Sequence, residues 1–124
     1  MHPLEELAHT LDAVVVATGA NKPAFIGLPG EHLSNVTAVT DYLSSPRKKS
    51  KDKMVIIGGT ELAIDAARTA KRMGDDVTVI FPKDHDHLSA SDVSLRKAQQ
   101  ESVRFMLLTQ PVKIIGQTKA TVVK

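Results

Sequence analysis

Between Lys53 and Phe81 the chain passes from an apolar run through a pair of glycines into an alanine-rich stretch, then back to an apolar run. Met54 to Ile57 carries no polar residue, the pattern of a parallel strand covered on both faces. Ala63, Ala66, Ala67, Ala70 and Met73 then recur at helical spacing and form a narrow stripe of small side chains, which lets a helix lie close to a sheet. Lys71 and Arg72 fall in the last turn, where cations complement the helix dipole, and Gly74 supplies a left-handed cap. Val77 to Phe81 resumes as strand. Strand, glycine turn, helix and strand in this order specify a right-handed βαβ unit.

A βαβ unit of this kind meets a dinucleotide at its first turn. Glycine stands first for the tight turn, glycine again two residues on for backbone approach to the pyrophosphate, and a small residue three further for helix–strand packing. Gly58 takes the first place and Ala63 the last, but Thr60 stands in the middle one. Gly58 and Gly59 would shape the turn, while Thr60, Glu61 and Leu62 would present backbone N–H groups to a phosphate. Thr60 brings a β-branched side chain where close approach is needed. Glu61 puts a carboxylate in the first helical turn; at about 6 Å from a pyrophosphate charge and an effective dielectric near 20, it opposes the ligand by roughly 2–3 kcal/mol. The second strand ends in Phe81-Pro82-Lys83-Asp84 with no terminal acid, which disfavours the ribose readers of NAD sites. Lys83 can meet a 2′-phosphate as a point charge, partly offset by Asp84, although a solvated loop lysine is its plainer reading. A smaller nucleotide would also suit an altered turn.

Around this unit the pattern predicts a short helix from Pro3 to His9, a strand at Val14 to Val16, a loop-rich crossing from Asn21 to Ser34, and a helix from Asn35 to Leu43 with Val36, Val39, Tyr42 and Leu43 on one side. Ser44 to Lys53, with Pro46 and a run of charges, reads as a surface linker. After Phe81 come a polar loop to Ala90, a helix from about Ser91 to Ser102, a strand from Val103 to Leu108 and a hairpin from Val112 to Val123. Asp65 and Arg68, one helical turn apart, are positioned for a local ion pair. The fold class is α/β: a Rossmann-like three-layer domain with a mainly parallel sheet and a C-terminal β-hairpin.

With 42% hydrophobic and 24% charged residues, 124 residues suit one soluble core. Sixteen basic against 14 acidic residues give no field on the scale of nucleic-acid binding. The basic run Arg47 to Lys51 lacks aromatics for base stacking and reads as a solvated linker. No apolar run reaches membrane length and no signal-peptide core is present, so a cytoplasmic location is expected. His85, Asp86 and His87 with Asp84 form a weak metal pattern, read as surface polarity, and no metal site is expected. Ser89 and Ser91 near His87 do not make an oriented nucleophile set. No residue is assigned to catalysis.

The stretches Leu11 to Ala20, Phe25 to Glu31, Gly58 to Ala70, Val103 to Phe105 and Pro111 to Gly116 together resemble the small subunit of glutamate synthase and its NADPH-dependent, FAD-containing relatives. The resemblance covers nearly the whole chain. In that family a pyridine-nucleotide domain is inserted into an FAD domain, so it implies that residues 1–124 form one pyridine-nucleotide-binding-like domain, with 1–34 derived from the crossing to an FAD domain that this chain lacks. It implies contacts to the nucleotide from Thr18 and Gly19 at the crossing, the competing role of this turn being simply to end a buried strand. The family's turn reads Gly-Gly-Gly-Asn, against Gly58-Gly59-Thr60-Glu61 here, and the family's pair of arginines after the next strand is replaced by Pro82-Lys83. Both departures fall on phosphate contacts. NADPH is the implied cofactor, bound weakly if the altered turn counts, with FAD held only by the parent enzyme. The implied partner is the FAD-containing remainder of that enzyme or another subunit, and an exposed strand near Val14 could pair two copies. With no cysteine, the chain itself carries no redox thiol or iron–sulfur ligand. The alternative is a degenerate domain that keeps the fold in a structural or interaction role.

Overall fold

The computed structural model describes residues 25–45 and 48–123. The expected helix Pro3 to His9, the strand at Val14 to Val16 with its proposed pairing between copies, and the turn of Thr18 and Gly19 lie outside them.

Helix α1 (Val39–Ser44) leads to strand β1 (Lys53–Ile57), helix α2 (Glu61–Met73), strand β2 (Asp76–Ile80), helix α3 (Asp92–Gln100) and strand β3 (Arg104–Met106). A hairpin of β4 (Ile114–Gly116) and β5 (Ala120–Val123) follows. Strands β1, β2 and β3 lie side by side in that order, all parallel, with Met54 opposite Val77 and Ile56 opposite Val79 and Phe105. The α/β class, the mainly parallel sheet and the C-terminal hairpin are those expected from the sequence.

Side-chain alternation sorts the sheet into two unlike faces. Met54, Ile56, Val77, Val79 and Phe105 point to the helices, where Val77 and Val79 pack with Ile64, Ala67, Ala70, Leu95 and Ala98 in the core. Four alanines of α2 let its backbone approach the strands closely, as the stripe of small residues predicted. The opposite face carries Val55, Thr78 and Arg104 in one row and Ile57, Ile80 and Met106 in the next. Here the expectation of a doubly covered first strand fails: Val55 is 43% exposed. Arg104 makes this second face partly polar, donating to Asp76 at 2.8 Å and to the Thr78 hydroxyl at 3.2 Å.

Both long helices are stopped by left-handed residues. Gly74, at φ +108°, donates to the carbonyls of Ala70 and Lys71, and the Asp75 N–H reaches Ala70 at 3.1 Å, which satisfies the last carbonyls of α2. Ser102, at φ +65°, ends α3 in the same way: its N–H bonds Gln99 and that of Val103 bonds Ala98. Buried Asp75 then fastens the segment before β1, accepting from the Ser50 hydroxyl at 2.5 Å and the Asp52 N–H at 3.0 Å.

Three further expectations change. The helix expected from Asn35 starts only at Val39, because the Asn35 side chain is engaged by the hairpin, donating to the Ala120 carbonyl at 3.0 Å and accepting its N–H at 2.6 Å. Leu108 turns to φ +52°, and β3 pairs only as far as Met106. Arg68 does not pair with Asp65; it makes a bidentate bond to Glu101 at the end of α3, at 2.9 and 3.2 Å, and Arg72 joins the same carboxylate at 2.6 Å. The longer reach wins because two parallel N–H···O bonds fix the guanidinium plane, which an (i, i+3) pair on an exposed face does not.

Candidate functional site at the glycine turn

In open parallel sheets ligands sit outside the carboxyl ends of the strands. At that edge β1 runs into Gly58, whose N–H bonds the Ile80 carbonyl at 3.0 Å, so the glycine turn and the start of the Phe81 to Ala90 loop lie together. Gly58 has φ +138°, a conformation that side chains resist, and a Cβ there would touch only Ala63, at 3.8 Å. Its requirement is conformational, as the first fingerprint position demands.

Gly59 is glycine for a different reason. A Cβ there would lie 2.4 Å from Leu88 and 2.8 Å from Phe81. Its carbonyl accepts the N–H groups of both Ser89 and Ala90, at 2.9 and 3.1 Å. The loop after β2 is thus strapped across the turn and buries Gly59. Beyond it, Thr60, Glu61 and Leu62 are exposed.

Thr60 is the N-cap of α2. Its hydroxyl accepts the Ala63 N–H at 3.3 Å and its carbonyl accepts that of Ile64 at 3.1 Å; a cap of this kind is worth about 1 kcal/mol. The side chain that departs from the glycine fingerprint therefore folds back on its own helix. Among the described residues no acceptor lies on the N–H groups of Gly59, Thr60, Glu61 or Leu62. Four consecutive donors at a helix N-terminus, where the dipole is positive, can receive an anion.

The Glu61 carboxylate does not stand free before these donors. It accepts the backbone N–H of Ser91 at 2.5 Å, and Ser91 is the N-cap of α3, its own hydroxyl accepting from Ser94 N–H at 3.3 Å. The Ser91 N–H, then the hydroxyls of Ser94 and Ser91, hold this carboxyl below the ordinary glutamate range. The like-charge opposition expected from the sequence assumed an uncompensated carboxylate; here the charge is spent on a second helix N-terminus.

Lys83 lies exposed on the loop, and among the described residues no carboxylate pairs with it. Its carbonyl accepts the Leu108 N–H at 3.1 Å, and the Phe81 carbonyl accepts that of Thr109 at 3.1 Å, which ties the base of the loop to the strand beside it. Asp84, expected to offset Lys83, is bonded to the His87 ring, which holds its carboxyl below the usual aspartate range. Among the described residues no group of three or more His, Cys, Asp or Glu is arranged to hold a metal. Sequence reasoning missed the bond between Glu61 and Ser91, the Leu88 to Ala90 strap, whose trace is a polar loop, and Glu101, which is distant in the chain from its arginines.

A family model described as pyridine nucleotide-disulphide oxidoreductase matches residues 4–124. The chain is 31% identical, over 98% of its length, to the glutamate synthase (NADPH) small chains of Halomonas elongata and of Azospirillum brasilense. It is 29% identical, over 90% of its length, to the NADPH-Fe(3+) oxidoreductase subunit beta of Geobacter sulfurreducens. It spans 29% of the length of each of the first two and 18% of the third. Among solved structures, T. acidophilum thioredoxin reductase superimposes with a TM-score of 0.64 at 21% identity, over 82% of this chain and 34% of that one. Lactococcus lactis thioredoxin reductase gives 0.62 at 22% identity, with the same coverage. At that identity the superpositions speak for the Rossmann-type fold.

Proposed function

The chain belongs to the pyridine nucleotide-disulphide oxidoreductase family, and from that premise we propose that it is the NADPH-binding domain of a flavin-dependent oxidoreductase resembling the glutamate synthase small subunit. The observation that carries the reading is the row of four N–H groups, Gly59 to Leu62, with no acceptor among the described residues, at the carboxyl edge of a parallel βαβ unit. Those donors suit a diphosphate, and Lys83, with no carboxylate partner among the described residues, suits a phosphate monoester beside an aspartate already engaged by His87.

When bound, NADPH would supply a hydride for a flavin held elsewhere in the parent enzyme. This chain's residues supply position. Gly58 makes the left-handed turn that leads into the row of donors, Thr60 keeps the first turn of α2 formed, and the strap from Leu88 to Ala90 holds the loop after β2 against the turn. Thr18 and Gly19 complete the proposed contacts at the crossing. On this reading the domain works in the cytoplasm, partnered by an FAD-containing region, and does not turn over substrate alone.

Calorimetric titration with NADPH and NADH tests the assignment. NADPH should bind more tightly, and Lys83→Ala should weaken NADPH by about tenfold, the loss of one partly exposed charge-assisted contact, with little effect on NADH. Equal binding of the two nucleotides would refute the cofactor preference. A second reading, a degenerate domain with a structural or interaction role, draws on the burial of Gly59 under Leu88 and Phe81, which restricts backbone approach at the turn. It requires that both nucleotides bind weakly or not at all.

A further inference from the structure

The loop that carries Lys83 is fastened to the glycine turn at one carbonyl, that of Gly59, and at one carboxylate, that of Glu61. The first fastening uses backbone alone. The second uses a side chain, and it joins two helices: Glu61 begins α2 while its carboxylate sits on the N-cap residue of α3. There the charge faces the N-terminal dipoles of both helices, each equivalent to roughly half a positive charge, and its cost to a nearby phosphate is correspondingly reduced. Ser91 is also the point at which the loop ends. Without the Glu61 bond, the Pro82 to Ala90 loop would be anchored at that end, among the described residues, by the Gly59 carbonyl, the packing of Leu88 and the burial of Ala90 in the core.

We propose that Glu61 is a positioning residue: its carboxylate braces the first turn of α2 against the N-terminus of α3 and so fixes the loop of Lys83 in register with the phosphate donors of the glycine turn. The proposal rests on the NADPH reading above. It reverses the expectation drawn from the residue type, under which Glu61 opposes the nucleotide.

Glu61→Gln and Glu61→Ala separate the two. Glutamine keeps a carbonyl oxygen for the Ser91 N–H and removes the charge; alanine removes both. In calorimetric titrations of the purified chain with NADPH, the brace predicts that Glu61→Gln binds at least as tightly as the unmodified chain. It predicts that Glu61→Ala binds about tenfold more weakly, the equivalent of one charge-assisted hydrogen bond. Amide exchange at Leu88 to Ser91 should rise in Glu61→Ala and be restored in Glu61→Gln. Equal tightening by both variants would overturn the brace in favour of simple repulsion, and unchanged exchange in Glu61→Ala would overturn it outright. If the unmodified chain binds no NADPH, the functional reading fails and takes the nucleotide half of this proposal with it, while the exchange result still decides whether the brace exists.

Discussion

Ser102 occupies a backbone conformation that glycine adopts freely and serine does not. It closes α3 with the same pair of bonds that Gly74 makes at the end of α2. Ser102→Gly should therefore stabilise the fold by about 0.5–1 kcal/mol, the relief of left-handed strain exceeding the extra entropy of an unfolded glycine. Urea denaturation would show this as a higher midpoint at an unchanged slope; a lower midpoint would mean that the turn tolerates serine without strain. The cap at Gly74 was legible because glycine after a run ending in Lys71 and Arg72 is a stop signal in itself. The one at Ser102 was not, since serine is common in loops and its φ is imposed by the two bonds that the chain makes there. Thr60 shows the same limit at the site: its residue type argued against close backbone approach, whereas its rotamer caps α2.

Helices α2 and α3 are joined at their far ends by Arg68, Arg72 and Glu101, and at their near ends by Glu61 and Ser91. Arg68, then Arg72, holds the Glu101 carboxyl below the ordinary glutamate range, and Glu101 in turn raises Arg68 above its usual value. A carboxyl whose pKa is lowered by folding contributes stability above its unfolded pKa and loses it as pH falls through the folded value. Glu101, Glu61 and Asp84 all shift downward, so stability should be level at neutral pH and decline below about pH 4. In Glu101→Gln the acid decline, followed by urea midpoints from pH 7 to pH 3, should be shallower; an unaltered decline would show that the arginine cluster does not report on folding. Element type was readable from the sequence because apolar spacing differs between helix and strand. The pairing between elements was not: a local Asp65 partner was the nearest candidate for Arg68, and the actual one lies 33 residues away.

At the scale of the molecule, two bodies meet at the segment before α1. One is the parallel sheet with its helices. The other is the β4–β5 hairpin, held by Asn35 on both polar groups of Ala120, by Ser34 on Thr118 and by the Ile114 N–H on the Pro29 carbonyl at 2.8 Å. Gly30 permits this approach, since a Cβ there would lie 2.1 Å from the Ile114 carbonyl oxygen. Asn35→Ala removes two of these bonds at about 1 kcal/mol each. Amide exchange should accelerate in Ile114 to Val123 and stay unchanged in β1, β2 and β3; acceleration throughout would mean that the hairpin and the sheet unfold as one unit. Both bodies were foreseen from the sequence, as a βαβ unit and a terminal hairpin, but not the clasp between them, since one asparagine in a polar stretch gives no hint of its partner. The double clasp on Gly59 has a consequence of another kind. Walls already fastened when a solute arrives surrender little disorder on association, so whatever attraction that corner of the molecule exerts should be felt as heat released by contact, undiminished by the toll of arranging loose chain.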